Sequence, residues 1–172
     1  ATLSWRLVHF EDELKFGPML SYVIKPKNWS IRPGISAKTY LTDEYAHRVG
    51  VDLKDVLRLL LQDLSHCNSL IVFEAKKLDI LKHNIKFFGA EFDHQIPRLQ
   101  SLQDIFSMAN KQWLVPGTLR KPSLKEAWAL LFDSEPQDPI ASNVSVNLMC
   151  EMLKHRPQWP TELTHKLQTM LV

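Results

Sequence analysis

The segment Ser69–Phe92, SLIVFEAKKLDILKHNIKFFGAEF, constrains the fold more than any other stretch of this chain. Ser69–Glu74 is a short apolar run with the length and β-branched content of a buried strand. It passes without a turn residue into Ala75–Phe88, where Leu78, Leu81, Ile85 and Phe88 recur at helical spacing. A buried strand feeding directly into an amphipathic helix is a βα unit, and α/β sheets keep their ligands at the carboxyl ends of such strands. Residues 73–79 (FEAKKLD) stand at that place, and they offer Glu74, Asp79, Lys76 and Lys77 but no histidine.

Other elements assemble around this unit. Leu3–Phe10 reads as a strand, and Met19–Ile24 as a second, separated by Glu11–Glu13 and Gly17-Pro18. The two are expected to pair antiparallel. Asn28–Ser36 reads as a loop, and Asp43–Val49 as a short helix capped by Thr42 and ended by Gly50. Asp52–His66 is the clearest helix, with Leu53, Val56, Leu57, Leu60 and Leu64 in one stripe. Ser101 is placed to cap a helix through Ala109, and Lys111–Pro122 reads as a loop. Ser123-x-x-Glu126 forms a capping box before a helix to Phe132. Ala141–Lys154 and Thr161–Leu171 are both expected as amphipathic helices, the latter on Leu163, Leu167 and Leu171. This order predicts an α/β domain with a mixed sheet, antiparallel at one edge and parallel further in, flanked by helices. Residues 1–155 make up the domain, and 156–172 a C-terminal helix packed on it.

With 172 residues the chain can bury a core without disulfides or metals. A net charge of +2 is too small to argue for nucleic acid or membrane by itself. No apolar run approaches a membrane span, and the N-terminus has no signal-peptide pattern. Two cysteines, Cys67 and Cys150, suit an intracellular, reducing compartment. His66-Cys67 with Cys150 or His83 matches no structural zinc spacing, and no serine sits in a nucleophile elbow.

Several words of the sequence, in collinear order, resemble the DEDDh (DnaQ-like) 3′–5′ exonucleases of the ribonuclease H-like fold. Leu3-Ser4-Trp5 is similar to a "LAW" strand, and Tyr22–Pro26 (YVIKP) to the strand that follows it. Leu41–Ala46 with Gly50-Val51 resembles "HGITTEYA…GV". Leu70–Asp79 falls on "LVAHNxxFD", Gly89–Phe92 on the phrase after it, Lys121–Phe132 on "KWPKLSELYRKLF" and Ala141–Asn147 on "AHDALAD". The resemblance spans roughly residues 1–155 and implies an exonuclease-type fold.

Chemistry in that family uses four carboxylates to hold two Mg or Mn ions and a histidine as general base. The resemblance implies that the first two carboxylates belong to a D-x-E strand preceding residue 1, and that the third position is Asp79. The general base falls on Ser142 and the fourth carboxylate on Asn147, while "HN" is replaced by Glu74-Ala75 and "HG" by Thr39-Tyr40. A serine is no base near neutral pH without an activating group, and asparagine carries no charge to offset a cation. The expectation is an exonuclease fold without nuclease activity and without resident metal ions.

Two plainer readings accompany these residues. Asp79 reads as a helix-surface aspartate rather than a relic ligand, and Glu74 with Asp79 does not define a cation site. Lys76, Lys77, Lys82 and Lys86, extended by Arg120, Lys121 and Lys125, are either a solvated face or a grip for a phosphate backbone. In the second case Tyr40 or Trp113 would stack a base, and Trp113 and Trp159 are alternatively partner anchors or lids over the core. Three functions follow: an inactive module for protein interaction or scaffolding; a non-catalytic single-stranded nucleic-acid binder; and an exonuclease fragment completed by an upstream strand. The third is weakest, because Ser142 and Asn147 lie inside the chain. In the family the D-x-E strand lies between the strands at Leu3–Phe10 and Leu70–Phe73. That gap is expected to be closed by a strand from a partner protein, by an upstream segment, or by direct pairing of the two flanking strands in a rearranged sheet, with a strand supplied from outside the chain favoured.

Overall fold

A computed structural model of the chain describes residues 2–10, 13–87, 98–109, 120–139, 141–155 and 167–172. Five strands form one mixed sheet: β1 (Thr2–Phe10), β2 (Leu14–Val23), β3 (Ser69–Val72), β4 (Arg98–Ser101) and β5 (Leu167–Leu171), in spatial order β2-β1-β5-β3-β4. β1 is antiparallel to both β2 and β5, whereas β3 is parallel to β5 and to β4. Seven helices are described: α1 (Pro33–Thr39), α2 (Asp43–Val49), α3 (Leu53–Leu64), α4 (Ala75–Phe87), α5 (Leu102–Ala109), α6 (Leu124–Phe132) and α7 (Ser142–His155).

β3 is buried at every residue, as a parallel strand covered on both faces must be. Its side chains alternate between two cores. Ile71 and Phe73 join Val8, Leu102, Ala127, Trp128, Met149 and Met152 on the face covered by α5, α6 and α7. Leu70 and Val72 join Trp5, Val56, Leu57, Leu60, Leu81 and Ile85 on the face covered by α3 and α4. Trp5 is fully buried there, and its indole N–H donates to Asp63 Oδ2 at 2.7 Å, which satisfies the one polar atom the ring carries inward. Met170 of β5 is fully buried in the same core.

Four sequence expectations are corrected. Thr161–Leu171 is not a helix at its end, because Leu167–Leu171 is a strand in the middle of the sheet and 161–166 lie outside the described residues. The division into a domain over 1–155 and a packed helix over 156–172 therefore fails, since 167–171 belong to the sheet. The position between β1 and β3 is held by this strand, so the expected filler from a partner or an upstream segment is replaced by the chain's own β5. Physically, spacing of i, i+4 and i+8 does not distinguish a helix from a short strand, and the unpaired backbone of two neighbouring strands decides it. Third, β2 runs through Gly17-Pro18 instead of starting after it. The register slips there, with Arg6 opposite Met19 but Val8 opposite Phe16. Proline lacks an N–H and is tolerated in such a bulge of an edge strand. Fourth, part of the expected loop Asn28–Ser36 is α1, which starts with Pro33 in its first turn, where the absent N–H costs nothing. β4 carries one apolar residue in four and was not foreseen.

Other local expectations agree with the structure. Thr42 caps α2, accepting from Tyr45 N–H at 3.1 Å, and Gly50 ends it. A Cβ on Gly50 would lie 2.1 Å from the Ala46 carbonyl oxygen, so glycine is required by close approach. Asp52 caps α3, and Ser101 Oγ accepts from Asp104 N–H at 3.2 Å at the start of α5. The capping box of α6 is complete.

Candidate functional site

The carboxyl end of β3 opens into a cleft of about 510 Å³. One wall is α4, which follows β3 directly and turns Lys77, Ile80, Leu81 and Asn84 toward the opening. These positions recur at helical spacing, i, i+3, i+4 and i+7. The opposite wall is α7, contributing Ser142, Ser145 and Met149, again at i, i+3 and i+7. The start of β1 supplies Thr2, Leu3 and Ser4, and Trp29 closes the rim.

A chain of hydroxyls lies beside this cleft. Ser4 Oγ is 2.7 Å from Ser21 Oγ and 2.8 Å from Ser142 Oγ, and Ser142 Oγ donates to Thr2 Oγ1 at 3.0 Å. The Ser142 N–H also donates to Thr2 Oγ1, at 3.2 Å. Ser145 Oγ donates to the Pro139 carbonyl at 3.2 Å, and Asn84 Nδ2 to the Ile80 carbonyl at 2.8 Å. The hydroxyls and one amide N–H are thus bonded within the protein, while the described residues of the lining include no acidic side chain and no histidine.

The sequence-selected residues divide around this cleft. Ser142 lines it. Asn147 is exposed on α7, Asp79 is exposed on α4 and Glu74 is half-buried, and none of the three lines it. Lys77 lines it, but Lys76, Lys82 and Lys86 do not. At about 100° per residue those three lysines span roughly 120° of α4, with Lys77 displaced by about 100° on the other side. The four lysines therefore do not make one side. Arg120 pairs with Glu126, Lys121 with Asp104 and Lys125 with Glu135, so each of these cations already faces a carboxylate. Trp113 and Trp159 lie outside the described residues.

Tyr40 belongs to a second, larger opening of about 850 Å³ between α1, α2, the start of β1 and the residues Gln137, Asp138, Ala141, Asn143 and Val144. It ends α1 with φ 57°, in the left-handed region, and is 89% exposed. Tyr45 and Lys38 line the same opening, and Lys38 is 3.7 Å from Asp138. Thr2 touches both openings, so the hydroxyl chain stands between them.

Both cysteines sit away from the cleft lining. Burial, then the nearby Asp63 charge, pushes the Cys67 thiol up to about 11, and burial raises that of Cys150. Thiols so raised are poor nucleophiles near neutral pH. Among the described residues no three His, Cys, Asp or Glu side chains come together as a metal-binding group. No helix of the described residues is long and apolar enough to cross a membrane.

Sequence reasoning missed Trp29, Ser4, Ile80 and Met149 as cleft residues. Ile80 and Met149 could have been found by continuing the i, i+3, i+7 faces through Lys77 and Ser142. Trp29 gave no signal, because it sits in an irregular segment before α1. No protein-family model matches this sequence, and no curated protein sequence matches it.

Proposed function

We propose that this chain is a catalytically inactive, exonuclease-like module with a ribonuclease H-like sheet, serving protein interaction or scaffolding within a larger assembly. The observation that carries the reading is the cleft at the end of β3. It is lined by Ser142, Ser145, Lys77, Asn84 and apolar groups where exonuclease chemistry would need clustered carboxylates and a base. Hydroxyls and an ammonium do not fit a pair of divalent cations, which take anionic oxygen ligands. The sheet supports the family reading in one respect: β1 and β3 flank a central position, the one given to the D-x-E strand by the resemblance. β5 occupies it with Leu167–Leu171, a segment containing no acidic residue. This also weighs against a fragment completed by an upstream D-x-E strand, which would have to displace β5.

Single-stranded nucleic-acid binding is the second reading, favoured by the arc of exposed Lys76 and Lys86 with half-buried Lys82 on α4. The ion pairs of Arg120, Lys121 and Lys125 count against it, because those cations are already engaged. One experiment addresses the inactive reading. Labelled single-stranded DNA and RNA are incubated with the chain and Mg²⁺ or Mn²⁺, and no shortening above a buffer control is expected. Progressive 3′ shortening that disappears on Asp79→Ala would overturn it.

A further inference from the structure

We propose that the cleft between α4 and α7 is a binding site for an amphipathic monocarboxylate, a molecule with an apolar body and one anionic end. The inference uses only the chemistry of the lining and holds whether or not the fold descends from nucleases. At about 510 Å³ the cleft lies within the roughly 300–1,000 Å³ range of small-molecule sites, and like them it is mostly apolar with few polar groups. Leu3, Phe73, Ile80 and Met149 supply apolar surface, and Ile80 and Trp29 are exposed at 56% and 43%, so apolar surface is open to a ligand at the rim.

Its polar groups decide the ligand. The hydroxyls of Thr2, Ser4, Ser142 and Ser145 each already have a partner, one another or a backbone carbonyl, so none of them has to be met by a bound molecule for want of any partner. The Asn84 amide N–H is held by the Ile80 carbonyl. Two polar side chains of the described lining have no hydrogen-bond or ion-pair partner among the described residues, and their groups are the Lys77 ammonium and the indole N–H of Trp29. Both donate and neither accepts, so their complement is an acceptor-rich anion. Among the described residues of the lining there is one cation and no acidic side chain, which matches a single negative charge, and the remaining wall matches hydrocarbon.

The test uses the intact chain and three probes that share one tail: decanoate, decanol and decylammonium, titrated below their aggregation ranges. Binding is read by calorimetry and by amide shifts of α4 and α7. Decanoate is expected to bind with one-to-one saturation and at least tenfold tighter than decanol. Lys77→Glu, at an exposed position, is expected to reverse the preference toward decylammonium. Ile80→Trp, also exposed, is expected to weaken all three by filling the opening. Absence of saturable decanoate binding would overturn the proposal, as would equal affinity for decanoate and decanol. Decanoate binding unchanged in folded Lys77→Glu would overturn it too. None of these outcomes depends on whether the chain cleaves or binds nucleic acid, so the two proposals fail separately.

Discussion

Tyr40 adopts φ 57°, where an L side chain is strained by about 1–2 kcal/mol and glycine is not. The resemblance would align a glycine with this residue, but the left-handed backbone itself was not legible in the sequence. The ring is 89% exposed, and its removal costs little burial. Tyr40→Gly is therefore expected to stabilise the fold by up to about 1 kcal/mol, after allowance for the freedom glycine gains when unfolded. Urea denaturation of the two proteins measures it, and a loss of stability would reveal a contact made by the ring. A second residue carries a pH signature. The Arg120 guanidinium, helped by the Ser123 N–H and hydroxyl, holds the Glu126 carboxyl down at about 2 against an ordinary 4.5. Its depressed value means that the stabilisation is complete above about 4.5 and lost as pH falls through about 2. The pair is well exposed, so solvent screening keeps the effect small. Glu126→Gln is expected to cost no more than about 1 kcal/mol at pH 7, with wild type and variant converging as pH drops toward 2.

At the scale of elements, what could be read in advance depended on how local its cause is. Thr42, Asp52 and Ser123 announce the starts of α2, α3 and α6, because a cap is a contact within three or four residues. β3 and α4 were equally legible, since one is uniformly apolar and the other periodic. β4 and β5 were not, because each is short and owes its conformation to partners far along the chain. Ser142 reaches the cleft, but Asp79 and Asn147 do not line it, since matching words along a sequence fixes order and not helical phase. The same phase argument governs the basic residues of α4. Any single-strand binding should fall steeply with salt, because released counterions drive it. Changing Lys76, Lys82 and Lys86 together to glutamate should abolish it, whereas Lys77→Glu alone should reduce it far less. Fluorescence anisotropy with a labelled oligonucleotide across a salt series checks both, and equal losses would mean that one surface includes Lys77.

For the whole molecule, the sheet is continuous only because β5 joins two halves of opposite character. On one side lies the antiparallel pair β1 and β2, and on the other the parallel pair β3 and β4. Five residue pairs link β5 to β1 and three link it to β3. Deleting 167–172 would leave facing rows of backbone donors and acceptors without partners, each costing roughly 1–3 kcal/mol if kept dry. It would also empty the site of Met170. A domain typically has only about 5–15 kcal/mol to lose, so the truncated chain should not hold its native tertiary structure. Near-ultraviolet circular dichroism checks this, and a native spectrum with a cooperative melt in the truncated chain would contradict it. Synthesis gives the same arrangement a temporal meaning. A ribosome adds roughly 5–20 residues per second, so the hundred or so residues from β3 to β5 occupy on the order of 5–20 s. Throughout that interval β1 and β3 are already made, and each has a side with no neighbour, the condition under which nascent strands find other chains. The nascent protein thus meets its greatest hazard until β5 is made, and its yield in a cell should follow the supply of chaperones more closely than its final stability.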